Sequence, residues 1–159
     1  MQTLPWNMRG WHCGTGSRGS ANNTHISFEI CEDSLENSDY LESVYQAAVE
    51  LTAELCSQYG LDPEADGVVL CHSEGHARGI ASNHADVMHW FPKFDKNMDT
   101  FRADVARALR GEDEMDERSR YGPQSGRNWP PRRPKGRRSG GRLASPTSRR
   151  RSRPVFWTV

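Results

Sequence analysis

No two of the four cysteines form a C-x-x-C pair. They sit at positions 13, 31, 56 and 71, which excludes a zinc ribbon and a thioredoxin-type redox site. Thiols scattered in this way fit free, partly buried cysteines better than a disulfide framework. No run of 18 apolar residues exists, so no segment reads as a membrane-spanning helix. The opening MQTLPWNMRGWHCG lacks the apolar core of a secretory signal peptide. Acidic residues are missing from the C-terminal part. Residues 1–117 hold all 21 acids and 8 of the 21 bases, a formal charge of −13, and residues 118–159 hold the other 13 bases and no acid. A net charge of zero therefore hides an acidic domain followed by a basic tail.

The length suits one domain. Residues 6–23 are rich in Gly, Asn and Ser and read as loop. THISFEIC, 24–31, alternates, with Ile26, Phe28 and Ile30 opposite His25, Ser27 and Glu29, which predicts a strand with one buried face. In 39–59, Leu41, Val44, Tyr45, Ala48, Leu51 and Leu55 recur at steps of three and four, and Gly60 follows as a stop, which predicts a helix. GVVLCH, 67–72, reads as a short buried strand ending at His72. The His-rich segment after it reads as loop, and 99–109 as a second helix with Phe101, Val105 and Leu109 on one stripe. The order predicts an α/β fold. From about Gly111 onward Pro, Gly, Ser and Arg dominate without any apolar period, so 111–159 is expected to be a disordered basic tail. Such a tail is either a solvated segment of no specific role or an electrostatic grip on an anionic polymer such as nucleic acid. A shifted reading frame would also produce so abrupt a change.

Gly14-Thr15-Gly16-Ser17-Arg18-Gly19 matches G-x-G-x-x-G, but a strand follows where a dinucleotide site needs a helix, so these are loop glycines. His72-Ser73-Glu74 matches half of a zinc deaminase signature and lacks the P-C-x-x-C half. His72 and His76 lack the adjacent Glu of H-E-x-x-H, and Gly75 interrupts. HSEGHARGIASNHADVMHWFP, 72–92, nevertheless holds four of the six histidines. His72 ends a strand, where α/β sheets open into ligand crevices. In an extended loop His84 and Asp86 point the same way, so both can face the place that His72 enters. Imidazole and carboxylate are both zinc ligands, and Glu29 on the neighbouring strand is a candidate proton carrier. For any one of these histidines the alternative is a hydrogen-bonded surface residue.

LPWN-x3-WHCG, NNTHISFEIC, VVLCHSEGHARGIASNHADVMHWFP and MDTFRADV, in that order, resemble the zinc-dependent N-acetylmuramoyl-L-alanine amidases of the type-2 family, whose fold is shared with peptidoglycan recognition proteins. The resemblance covers roughly residues 3–110. It implies a central mixed β-sheet flanked by helices, an amidase domain over 1–110, a Zn2+ cofactor and peptidoglycan as substrate. It implies that His72 and Asp86 are zinc ligands and that Glu29 is the general base. His84, where relatives often carry a Lys, would stabilise the oxyanion, and His12 in W-H-C-G would lie beside the substrate groove. The family's first zinc histidine lies on a strand upstream of L-P-W-N, so the resemblance leaves two of the three ligands here and implies an N-terminally truncated domain, a site completed by His12 or another histidine, or an inactive site.

Three functions follow as expectations. The first is hydrolysis of the amide between N-acetylmuramic acid and L-alanine, acting at the cell wall or outside the cell. The second is binding of peptidoglycan without cleavage. The third is a grip on nucleic acid or another anionic polymer through the tail alone, since a charge of −13 argues against a nucleic-acid groove in the domain.

Overall fold

The computed structural model describes residues 2–112 and the backbone of Val155–Thr158. Strand β1 spans Ile26–Glu29, helix α1 Ser38–Tyr59, strand β2 Val69–Leu70, helix α2 His72–Ala77, helix α3 Met98–Arg110 and strand β3 Val155–Thr158. Short 3-10 turns occupy Ala21–Asn23 and Phe91–Phe94.

Helix α1 begins where the Asn37 side chain accepts from the backbone N–H groups of Asp39 and Tyr40, at 3.1 Å each, satisfying donors that a first turn leaves open. It stops at Gly60, whose φ of 63° is left-handed and cheap for glycine. Its core face carries Leu41, Tyr45, Ala48, Thr52, Leu55 and Cys56, all buried. Thr52 is the polar member of that stripe, and its hydroxyl donates back to Ala48 O at 2.7 Å. Helix α3 starts on a reciprocal cap between Asn97 and Thr100 and ends at Gly111. It lays Phe101 and Val105 against α1. Tyr45 meets Phe91 and Phe101 edge-on, with ring centroids at 5.3 and 5.5 Å. Full burial of a side chain of this size contributes roughly 1.5–3 kcal/mol, so this junction anchors the fold. The Tyr45 hydroxyl keeps a partner, donating to Asp104 at 2.7 Å.

The sheet is three-stranded in the order β1-β3-β2, and both pairings are parallel. The expectation of an α/β arrangement of helices and strands holds. The expectation of a mixed sheet does not hold for the pairings described, because β1 and β2 are joined by a helical crossover and so run the same way. Two further expectations need correction. His72 does not close a strand; β2 ends at Leu70 and His72 opens α2, so part of the presumed loop is helical. The segment 111–159 is not all tail, because Val155–Thr158 forms the middle strand of the sheet. The remainder of the expected tail lies outside the described residues.

Candidate functional site

Helix α2 places the first candidate residue. The Glu74 carboxylate accepts from the Cys71 backbone N–H at 3.2 Å and so caps the helix that His72 begins. Arg102 of α3 grips the same carboxylate at 2.5 and 2.6 Å and donates its Nε to Val69 O at 3.0 Å. One guanidinium therefore ties α3, the start of β2 and the first turn of α2 together. Gly75 does not interrupt anything; it is a buried residue inside α2.

His72 is buried, and its Nδ1 lies 2.9 Å from Asp86 Oδ2. Its Nε2 lies 3.1 Å from Ser82 Oγ. The His84 ring sits 4.8 Å from the His72 ring, and its Nδ1 is 3.4 Å from the same Ser82 hydroxyl. Ser82 also donates to Cys13 O at 3.1 Å. The loop thus brings His84 and Asp86 to His72, with Ser82 between the two imidazoles. Burial pushes the His72 pKa below its usual value, opposed by the Asp86 charge and reinforced by His84.

Backbone geometry fixes this loop from both sides. Val87, directly after Asp86, is buried with a φ of 58°. A β-branched residue rarely takes that left-handed conformation, so the surrounding packing enforces it. On the other side, the segment 13–21 docks onto Gly79–Ser82 through Arg18 N to Gly79 O at 2.7 Å, Ala21 N to Ile80 O at 2.8 Å and Ser82 N to Cys13 O at 2.8 Å. A Cβ on Gly16 would stand 2.3 Å from the Gly79 carbonyl. Close approach of two backbones, not phosphate binding, is the reason for that glycine. A cleft of about 320 Å³ opens along this seam, lined among others by Thr15, Ser17, His76 and Ser82.

His12 turns inward from the same loop while Trp11 stays 72 % exposed. Burial drives the His12 pKa down to about 4, helped by the nearby positive charges that His25 and His72 would carry. His12 therefore belongs to the electrostatic neighbourhood of His72. His25, expected on a polar face, is buried, with its ring nitrogens 2.7 Å from Thr24 Oγ1 and 3.3 Å from Gly67 O. Glu29 closes β1 and is exposed. Strand β3 stands between β1 and β2, so two strand spacings, roughly 10 Å, separate the strand of Glu29 from the strand leading to His72.

The donor types and the convergence of His72 and Asp86 suit a zinc ion. Among the described residues, however, no three His, Cys, Asp or Glu side chains are grouped so as to hold a metal. Sequence reasoning missed Ser82, the Glu74–Arg102 clamp and the strained Val87. Only the clamp left a trace, a Glu three residues after the capping position.

No helix among the described residues is long and apolar enough to cross a membrane. Searches of curated proteins and of solved structures returned no match. A family model described as N-acetylmuramoyl-L-alanine amidase matches residues 1–91.

Proposed function

The chain belongs to the N-acetylmuramoyl-L-alanine amidase family, and on that premise we propose that it hydrolyses the amide joining the lactyl group of N-acetylmuramic acid to L-alanine in peptidoglycan, acting at the cell wall. The observation that carries this reading is the meeting of His72 Nδ1 and Asp86 Oδ2 at 2.9 Å, with His84 against them.

His72 and Asp86 would hold a zinc ion, which when bound acidifies water and polarises a carbonyl. The chain's own residues do the rest. Water adds to the lactyl carbonyl carbon, and Glu29 takes its proton. The carbon–nitrogen bond breaks, and the proton returns to the departing alanine nitrogen, leaving a carboxylate on the sugar and a free amino terminus on the peptide. His84 donates to the oxyanion of the tetrahedral intermediate; one such donor is typically worth roughly 3–4 kcal/mol. Ser82 holds both imidazoles in place, and Arg102, through Glu74, fixes the start of α2. His12 borders the substrate groove.

A second reading is a domain that binds peptidoglycan without cutting it. It is favoured by the two converging donors where a catalytic zinc usually has three protein ligands. One experiment separates the two. Purified protein is loaded with zinc, its metal content is measured, and new L-alanine amino termini are counted on purified peptidoglycan. The amidase reading expects release of amino termini, lost in Glu29→Gln with zinc content unchanged. Sedimentation with peptidoglycan and no new amino termini would leave the binding reading standing and overturn the enzymatic one.

A further inference from the structure

Strands β1 and β2 are not hydrogen-bonded to one another. Each pairs with β3, which comes from the far end of the chain. Val155 is the register partner of both Ile26 and Val69, and Phe156 of both Ser27 and Leu70. Beyond the end of β2, Trp157 and Thr158 continue along Phe28 and Glu29. The crossover through α1 leaves β2 two positions away from β1, with room for one strand between them, and β3 fills it parallel to both.

The walls of this space are buried: Ile26 is 4 % exposed, Val69 0 % and Leu70 1 %. Buried backbone N–H and C=O groups require partners, and among the described residues β3 is the strand that supplies them. The sequence of β3, VFWT, consists wholly of β-branched and aromatic residues, which favour strands. The preceding stretch is rich in Arg, Pro, Gly and Ser and does not. Residues 111–154 join α3 to β3, and a chain of that length can reach roughly 100 Å or more when extended, so the connection does not limit where β3 docks.

We propose that the space between β1 and β2 is a strand-acceptor slot whose occupant is the chain's own C-terminal strand, delivered within the molecule. Covalent joining gives the donor an effective concentration up to the order of mM, far above the concentration of a second copy in dilute solution, so the intramolecular strand takes the slot. The C-terminus is then part of the domain. Because β1 ends at Glu29 and β2 leads into His72, β3 is the element that sets these two residues' strands relative to each other. That last consequence rests on the amidase reading; the slot itself does not.

Hydrogen exchange on the full-length protein tests the slot without reference to activity. Phe156→Pro removes a backbone donor from the middle strand. Amides in 26–29 and 69–70 are expected to exchange at least about tenfold faster in Phe156→Pro than in the unaltered chain, and a synthetic peptide of residues 152–159 in excess is expected to restore their protection. Thr147→Pro, outside the strand, is expected to leave them unchanged. Equal protection in Phe156→Pro and the unaltered chain would overturn the proposal. If Phe156→Pro also loses the protection of α1, a cross-link decides. In the full chain carrying Cys31→Ser, Ser27→Cys and Phe156→Cys, mild oxidation is expected to give a disulfide within a monomer. A disulfide-linked dimer would overturn delivery within the molecule, and absence of the disulfide would overturn the pairing. Absence of peptidoglycan cleavage by the unaltered chain, with the exchange pattern as expected, would count against the amidase reading alone.

Discussion

His72, the first residue of α2, holds its Nδ1 2.9 Å from Asp86 Oδ2 in the loop that follows. The pair is coupled electrically as well as geometrically. Burial lowers the His72 pKa, and the Asp86 charge is the largest influence raising it. Removing that charge leaves the burial unopposed. In the metal-free protein, Asp86→Asn is expected to lower the His72 titration midpoint further below the ordinary value of about 6.5. NMR of the imidazole C–H resonances across pH measures it; an upward shift would show that the two groups do not face each other. With zinc added, the same variant is expected to bind the ion at least about tenfold more weakly.

Arg102 joins three elements through one partly buried guanidinium. Arg102→Ala leaves the Glu74 carboxylate and Val69 O without that donor. The ion pair is only partly desolvated, so the cost falls below that of a fully buried one, at about 2 kcal/mol. Urea unfolding is expected to show that loss, with Arg102→Lys recovering part of it. An Arg102→Ala protein as stable as the parent would mean that the clamp does not form in solution.

Two glycine positions separate close packing from conformational freedom. A Cβ at Gly16 would strike the Gly79 backbone at 2.3 Å, whereas a Cβ at Gly60 meets nothing and only its φ of 63° opposes substitution. Gly60→Ala is expected to cost about 1 kcal/mol. Gly16→Ala is expected to cost about 3 kcal/mol or more and to loosen the seam that carries Ser82. Thermal unfolding of the two variants ranks them; a reversed order would show that the turn is not docked on Gly79–Ser82.

The half-buried His12 and the buried His25 both shape the acid side of the stability profile. The His12 pKa is lowered to about 4 and the His25 pKa is also lowered, both chiefly by burial. The unfolded chain binds their protons near pH 6.5 and the folded chain only at lower pH. Between those values the unfolded state carries more protons, so stability rises with pH. The contribution is complete above about pH 6.5 and declines as pH falls toward about 4. Denaturant midpoints measured from pH 7.5 to 4.5 are expected to fall, and less steeply in His12→Gln. A profile for His12→Gln parallel to that of the parent would remove His12 as a cause.

Local rules act within a few residues, and for that reason the sequence carried them. The apolar period of 39–59 and the stop at Gly60 mark α1 to within a residue of Ser38–Tyr59, because a helix is made of i to i+4 bonds and a period of 3.6. The same holds for α3 and for the core of β1. The nearness of His84 and Asp86 to His72 was legible too, since an alternating loop sends both side chains to one side. What the sequence could not carry depends on contacts between distant residues. Parallel pairing has no local signature in either partner, so a four-residue strand beyond a basic, proline-rich stretch gave no sign that it belongs between β1 and β2. The left-handed Val87 is imposed by the core around it against its own preference. The Gly16–Gly79 contact, the Ser82 bridge and the Arg102 clamp each join elements that only packing brings together. Residue type and spacing therefore determined which groups are available for chemistry, and the tertiary structure alone decided which of them meet, because meeting requires two backbones to be held at a fixed distance and no single stretch of chain fixes that.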